Sequence, residues 1–193
     1  MRLGILGGTF DPPHVGHLLA ASDAFDSLAL DRLSWIPAGA QPLKQIGTSA
    51  SGRQRLEMVR LTVSDDLRFA VDAIEIERDG LSFTVETLAA YAARFPDAER
   101  FFLIGEDVVP QLAQWREPAR IATLASVIAL SRSAEGASPI NAGVGHAAVR
   151  RLETRRVDVS STEIRARVRA GLSIRGFVSD AVADYINAAG LYR

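Results

Sequence analysis

The chain has 193 residues, a formal net charge of −1, 48% hydrophobic residues and no cysteine. This composition supports a sizeable core and excludes intrinsic disorder, and the length suits one domain or one domain with an added lobe. The charge gives no basis for nucleic-acid binding, and the lack of cysteine excludes disulfides and thiolate chemistry. No signal peptide or apolar run of about 18–20 residues is present, so we expect a cytoplasmic protein without membrane partners.

The predicted elements begin with a strand at residues 3–6, which ends at Gly7-Gly8, a helix at 15–28 and a strand at 32–37. This order is typical of a parallel βαβ unit. Further helices are predicted at residues 53–63, 82–94, 117–124, 162–170 and 180–189. Further strands are predicted at residues 67–71, 73–77, 100–104, 127–130 and 154–159, and loops at 38–52 and 133–145. The alternation predicts an α/β fold with a doubly wound, mostly parallel sheet and helices on both faces.

Two of the three histidines, His14 and His17, stand in the stretch GGTFDPPHVGH at residues 7–17. The glycines allow a ligand to approach the backbone, and the following helix offers its first N–H groups to an anion. The spacing of three places both imidazoles on one helix face, where they can donate to phosphate oxygens. The stretch therefore predicts a phosphate site. A tight turn that happens to contain histidines, or a zinc site completed by Asp11 or His146, is the alternative.

A second motif, Ser160-Ser161-Thr162-Glu163-Ile164-Arg165, lies near the end of the chain. Ser160 and Glu163 fit a capping box, so a helix is predicted to begin here with its N–H groups open to a phosphate or the edge of a base. Arg165 follows one turn later and is a candidate to clamp phosphate oxygens. Arg167 and Arg169 are expected on a solvated face.

Both motifs resemble those of a known group. GGTFDPPHVGH resembles the TFxPxHxGH signature of the adenylyl- and cytidylyltransferase superfamily, and residues 160–165 resemble its late [S/T]-S-T-x-I-R motif. Gly105 and Asp107 followed by Trp115 resemble the G-x-D…W segment of the nicotinate mononucleotide adenylyltransferases. Residues 82–88 and the C-terminal residues 180–193 resemble that family as well. The resemblance implies a Rossmann-like nucleotidyltransferase domain over residues 1–193, with the helices from about residue 160 packed as a small lobe.

The reaction that this resemblance implies belongs to NAD biosynthesis. Nicotinate mononucleotide attacks the α-phosphate of ATP, which yields nicotinate adenine dinucleotide (deamido-NAD) and pyrophosphate. The nucleophile is an ionised substrate phosphate, so catalysis rests on positioning and on neutralising charge at the phosphates. The resemblance implies catalytic roles for His14, His17 and Arg165. It implies Mg²⁺ carried mainly by the ATP phosphates, with no metal ligands from the protein. A homo-oligomer is compatible with the sequence.

The resemblance divides the remaining site residues between the two substrates. The ATP group comprises Gly7, Gly8, Thr9, Phe10, His14, His17, Gly105, Asp107, Ser161, Thr162 and Arg165. The mononucleotide group comprises Lys44, Thr84, Asp107, Trp115 and Arg132. Taken as single residues, these have plainer interpretations: a helix-terminal acid for Asp107, core packing for Trp115, a helix cap for Thr84 and a surface charge for Arg132.

The loop after the second strand departs from the family pattern. Many relatives carry P-P-H-K there, whereas this chain has Gln41-Pro42-Leu43-Lys44. A phosphate contact by Lys44 stays plausible, and a contact by a histidine at position 43 is lost.

Three other functions stay open from the sequence. Pantetheine-phosphate adenylyltransferases share both motifs but lack the G-x-D…W segment. An enzyme of the same class could prefer nicotinamide mononucleotide, because an amide and a carboxylate differ little in shape. A non-catalytic nucleotide-binding regulator is the third.

Overall fold

A seven-stranded sheet forms the centre of the computed structural model, which describes residues 1–40, 48–131, 140–144 and 147–193. Its strands are β1 (Arg2–Gly8), β2 (Arg32–Pro37), β3 (Phe69–Val71), β4 (Glu99–Gly105), β5 (Ser126–Ser131), β6 (Ile140–Val144) and β7 (Ala147–Glu153). Their order in the sheet is β3-β2-β1-β4-β5-β7-β6. All neighbours are parallel except β6, which pairs antiparallel with β7 at one edge.

The direction of winding reverses between β1 and β4. From β1 the chain adds β2 and β3 on one side and then returns to add β4 and β5 on the other. Such a reversal opens a crevice at the carboxyl ends of the two central strands, because the connections leave in opposite directions. Those ends carry Gly8 and Gly105, so the fold brings the two glycine-terminated strands of the sequence side by side.

Helices cover both faces of the sheet. The helices are α1 (Val15–Ser27), α2 (Gly52–Val63), α3 (Thr84–Arg94), α4 (Pro118–Leu124), α5 (Ser161–Arg169) and α6 (Asp180–Ala188), with a 3-10 helix at Glu106–Gln114; those from α1 to α4 and the 3-10 helix pack on the sheet. One apolar cluster joins the sheet to α3, the 3-10 helix and α4, and a second joins it to α1 and α2. Burial on both faces explains why the strands are almost continuously apolar in sequence. The predicted doubly wound, mostly parallel α/β fold is confirmed.

A third apolar cluster lies away from the sheet. It packs Ile164 of α5 and Val182 of α6 against Met58 of α2, together with the C-terminal Leu191 and Tyr192. The small lobe expected from about residue 160 stays a prediction, and this cluster is the contact through which such a lobe would be attached.

Two predicted strands are wrong. Residues 73–77 form turns, because their donors bond locally: Glu77 N–H reaches Ala73 O at 2.9 Å and Ile74 N–H reaches the Asp72 carboxylate at 3.0 Å. The last strand is β7, and residues 154–159 leave the sheet. The Arg155 N–H there donates to the Asp23 carboxylate at 2.8 Å instead of to a neighbouring strand.

Three elements were missed in the sequence: the 3-10 helix, β6, and β7, which lies between the predicted loop at 133–145 and the predicted strand at 154–159. The 3-10 helix at Glu106–Gln114 contains Pro110, which hid its helical character. Strand β6 falls within the predicted loop at residues 133–145, of which residues 132–139 and 145–146 lie outside the described part of the chain.

Candidate active site

The turn between β1 and α1 is held by an aromatic ring. Phe10 adopts the left-handed φ of 51° that non-glycine residues rarely take, and its ring lies directly over Gly8. A Cβ atom at Gly8 would stand 2.6 Å from Cζ of that ring, so the position requires glycine. The ring also contacts His17 edge-on at 5.2 Å between centroids and Trp35 at 5.2 Å. Phe10 therefore fixes the turn against the core and supports one histidine directly.

The two histidines form a stacked pair at the start of α1. His14 is the N-cap residue, and its backbone N–H donates to Nδ1 of His17 at 3.2 Å. The ring centroids are 3.7 Å apart with 30° between the planes. Because Nδ1 of His17 accepts this bond, the neutral ring carries its proton on Nε2, and that N–H is the donor it can direct at a ligand. His14 is only 3% exposed.

The late motif is attached to the same turn. Ser161 Oγ donates to the carbonyl of Pro12 at 2.8 Å, and Arg165 Nη1 donates to the carbonyl of Asp11 at 2.7 Å. Ser160 caps α5, since its Oγ accepts the N–H of Glu163 at 3.1 Å. The fold thus places the start of α5 beside the start of α1, and the two motifs form one surface.

A cavity of about 1180 Å³ opens in front of both helix starts. We call it the histidine pocket and define it by His14, His17, Arg155, Arg156, Ser160 and Ser161, which line it. Arg165 and Thr162 are not among its lining residues: besides its bond to the turn, Arg165 donates through Nη2 to Thr162 Oγ1 at 3.2 Å. Arg155 is paired with Asp23 at 2.8 Å, and the hydrogen bond from Arg155 lowers the pKa of the Asp23 carboxyl.

A second cavity, of about 640 Å³, lies on the other side of the β1 and β4 ends. We call it the aromatic pocket and define it by Phe83, Thr84, Phe102, Trp115 and Arg116. Trp115 is half-buried and contacts Phe102 with 6.1 Å between ring centroids. Thr84 is the first residue of α3, so the cavity meets a helix N-terminus, whose first N–H groups favour an anion. The arrangement suits a flat ring that carries a polar or anionic substituent.

The two cavities share a wall. Gly7, Gly8 and Thr9 from β1 and its turn line both, as do Gly105 at the end of β4 and Asp107 in the 3-10 helix that follows. A side chain at Gly105 would collide with the Asp107 carboxylate, so glycine there allows this carboxylate to fold back over the strand end. Two ligands bound in the two cavities would meet at this wall, with Asp107 facing both.

One ion-paired cluster beside the histidine pocket was missed in the sequence. Ser131 Oγ donates to the Glu106 carboxylate at 2.5 Å, and Arg151 pairs with the same carboxylate. These bonds join the ends of β4, β5 and β7. The hydrogen bond from Ser131 lowers the pKa of the Glu106 carboxyl, assisted by Arg151. The sequence held no signal of this cluster because its members are 25 and 45 residues apart.

Arg55 of α2 was missed as well. It is 3% exposed, and it donates to the carbonyl of Thr9 at 2.7 Å and to that of Ala38 at 2.7 Å. Burial lowers the pKa of its guanidinium, while the nearby Asp11 carboxylate opposes this shift. Arg55 is one of three arginines in α2, and arginines on helices are ordinarily exposed, so nothing in the sequence singled it out.

Three residues named from the sequence, Lys44, Arg132 and His146, lie outside the described part of the chain. Over the described ranges there is no group of three or more His, Asp or Glu side chains that could hold a metal ion. No helix in those ranges is long and apolar enough to cross a membrane.

A family model described as cytidylyltransferase-like matches residues 5–167. The chain therefore belongs to the cytidylyltransferase-like family. Curated relatives named as nicotinate-nucleotide adenylyltransferases cover the whole chain: one from Gemmatimonas aurantiaca is 51% identical, with 93% of its own length matched. Another, from Thermus thermophilus, is 40% identical, with all of its length matched. Within the family, the chain thus groups with the nicotinate-nucleotide adenylyltransferases, which are nucleotidyltransferase enzymes.

Solved structures share the fold at low identity. A Plasmodium falciparum nicotinic acid mononucleotide adenylyltransferase in complex with NaAD matches with a TM-score of 0.77 at 16% identity, over 99% of this chain and 97% of its own. A structure from Vibrio parahaemolyticus matches with a TM-score of 0.69 at 19% identity, over 100% of this chain and 96% of its own.

Proposed function

We propose that this chain transfers the adenylyl group of ATP to nicotinate mononucleotide and releases pyrophosphate and nicotinate adenine dinucleotide. The observation that carries the proposal is the pair of cavities with one shared wall at the β1 and β4 ends. The histidine pocket offers donors suited to a triphosphate, and the aromatic pocket offers a stacking surface and a helix N-terminus suited to a nicotinate ring. The curated relatives named above support the same reaction.

In this proposal ATP lies in the histidine pocket with its α-phosphate at the shared wall. The Nε2–H of His17, together with His14, stabilises the charge that grows on the phosphates as the bond to pyrophosphate breaks. Ser161, Thr162 and the first N–H groups of α5 bind the outer phosphates or the base. Arg165 has five N–H donors, so its contacts with Asp11 and Thr162 leave capacity for a phosphate.

Nicotinate mononucleotide occupies the aromatic pocket in the same proposal. Trp115 stacks on the pyridine ring, and the N-terminus of α3 at Thr84 binds the carboxylate. The phosphate of the mononucleotide reaches the shared wall, where Asp107 orients the substrates. Lys44 and Arg132 are proposed as partners of that phosphate on the strength of the family resemblance.

We further propose that magnesium enters with ATP as part of the substrate complex. Mg²⁺ keeps several of its waters and is bound largely through substrate phosphates in such sites, so a triphosphate can supply its ligands. The histidine and arginine donors would then neutralise the charge that the metal leaves uncovered.

The experiment is pyrophosphate release from ATP and magnesium by the purified protein. Nicotinate mononucleotide, nicotinamide mononucleotide and phosphopantetheine are supplied in parallel. We expect release with nicotinate mononucleotide at a kcat/KM well above that with the other two. A preference for phosphopantetheine or for nicotinamide mononucleotide would keep the enzyme class and replace the substrate. ATP binding without release in all three reactions would instead support a nucleotide-binding regulator.

A further inference from the structure

Asp11 is a buried carboxylate at the base of the turn that carries the histidines. It is 5% exposed and lines neither of the two cavities. Its Oδ2 accepts the N–H of Ser49 at 2.7 Å, and its Oδ1 accepts the N–H of Ala50 at 3.2 Å and the hydroxyl of Tyr192 at 2.8 Å. A buried carboxylate is tolerated only when such donors surround it, so this side chain is part of the framework of the turn.

The hydroxyl donor comes from the far end of the chain. Tyr192 is the next-to-last residue, is 7% exposed, and holds the left-handed φ of 66° that non-glycine residues rarely adopt. Burial and the bond to Asp11 raise the pKa of its phenol above the usual value, so the hydroxyl stays protonated and donating. The preceding Leu191 N–H is bonded to Ile186 O at 3.0 Å, which ties this end of the chain to α6.

Three more hydrogen bonds join the same turn to the C-terminal part of the chain. Arg165 donates to Asp11 O and Ser161 donates to Pro12 O, while the N–H of Val15 donates to Phe177 O at 2.9 Å. His14 lies between Pro12 and Val15, so bonds on both sides of it determine where its ring stands. Of these four hydrogen bonds, only the one from Tyr192 reaches a side chain of the turn, and the other three reach its backbone. The Tyr192 bond can therefore be removed while the backbone bonds stay in place.

We infer that Tyr192 is a positioning residue, which holds the turn through Asp11 so that His14 and His17 face the phosphates of ATP. This inference rests on the proposed function, because the effect it describes is on the ATP side of the proposed reaction. Removing the hydroxyl leaves one oxygen of Asp11 short of a donor and allows the turn to shift, while the aromatic pocket keeps its walls.

Tyr192→Phe tests the inference because it removes only the hydroxyl. We expect the KM for ATP to rise severalfold and kcat/KM for ATP to fall about tenfold, the equivalent of one hydrogen bond, with the KM for nicotinate mononucleotide changed less than twofold. A loss of folded protein would lower the apparent kcat and leave both KM values unchanged. A rise in the KM for ATP alone therefore separates positioning from stability. Tyr185→Phe is the matched control, because Tyr185 packs in the same C-terminal apolar cluster. Its KM values should match the wild type.

A double-mutant cycle with Asp11→Ala, which removes the acceptor of the Tyr192 hydroxyl, checks the route of the effect. If Tyr192 acts through Asp11, Tyr192→Phe should change the ATP parameters less than twofold in the Asp11→Ala background. An unchanged KM for ATP in Tyr192→Phe, or the same fold-change in both backgrounds, would overturn the inference. A wild-type protein without activity would contradict the proposed function alone. The dissociation constant of ATP, measured calorimetrically, would then take the place of its KM in the comparison of Tyr192→Phe with Tyr185→Phe.

Discussion

The histidine pocket and the aromatic pocket meet at one wall, yet they are built in different ways. The histidine pocket takes four of its six defining residues from two short contiguous motifs, and polar bonds fix those motifs: His14 to His17, and Ser161 to Pro12. The aromatic pocket takes its groups from separate elements, and its rings belong to the apolar cluster that also forms the core. The two histidines therefore stand out in the sequence, whereas an aromatic ring can serve packing and binding together.

This difference predicts different responses to mutation. A change in the histidine pocket removes a donor and leaves the core untouched, so it should alter ATP chemistry with little change in stability. A change in the aromatic pocket removes packing as well as a binding surface, so it should alter the mononucleotide side and the free energy of unfolding together. Single substitutions in each pocket can test whether the effects on ATP and on the mononucleotide are separate.

His17→Ala should have the largest effect. It removes the Nε2–H donor directed at the phosphates, and loss of one such preorganised donor costs about 100- to 1000-fold in kcat. The KM for nicotinate mononucleotide should change little, because His17 does not line the aromatic pocket. Steady-state pyrophosphate release with each substrate varied in turn measures both quantities.

The control for this variant is His17→Gln, which retains an amide donor near the same place. It should recover part of the lost turnover. Near-normal turnover in His17→Ala would remove this residue from catalysis, and an equal rise of both KM values would show that the two pockets are not separable.

The same contrast explains what the sequence could predict. The βαβ opening, the glycines at the ends of β1 and β4 and the two contiguous motifs are local signals, so the fold and the elements of the histidine pocket could be predicted from them. Residues such as Arg55, Ser131 and Tyr192 could not be assigned, because their partners are distant in sequence and meet only in the folded chain. Trp115 is an intermediate case. The sequence singles it out as a candidate residue, but a tryptophan at this position is expected for core packing as well as for ring stacking, so its role could not be decided.

Trp115→Ala should have the second-largest effect. Loss of an aromatic stacking surface costs about 1–3 kcal/mol per stacked ring, so we expect the KM for nicotinate mononucleotide to rise about tenfold with the KM for ATP unchanged. The unfolding temperature should also fall, because Trp115 packs against Phe102. Kinetics and thermal unfolding on the same preparation give both results.

Trp115→Phe keeps a ring at this position and serves as the control, with a smaller rise in the KM for the mononucleotide. If Trp115→Ala lowers the unfolding temperature and raises both KM values alike, its role is packing and the assignment of the aromatic pocket to the mononucleotide fails.

Gly105→Ala changes the shared wall, so it should affect both substrates rather than one. The new Cβ would collide with the Asp107 carboxylate, which is the end of a movable side chain, so stability should change little while Asp107 is displaced. Because Asp107 lines both cavities, we expect the KM values for both substrates to rise severalfold. An effect confined to one substrate would assign Asp107 to that substrate alone.

Glu106→Gln should have the smallest effect, on stability and its pH dependence. The bond from Ser131 lowers the pKa of Glu106 in the folded chain, so its contribution is fully present above the unfolded value near pH 4.3 and is lost as the pH falls through the folded pKa. The free energy of unfolding of the wild type should therefore exceed that of the variant by about 1 kcal/mol or less at pH 7, and this gap should close below pH ~4. Urea unfolding at several pH values measures it, with Glu57→Gln as the control, since Glu57 forms an exposed ion pair with Arg60 at 3.6 Å. A gap that persists unchanged in acid would show that the Glu106 side chain stabilises the fold through packing and neutral hydrogen bonds rather than through its charge.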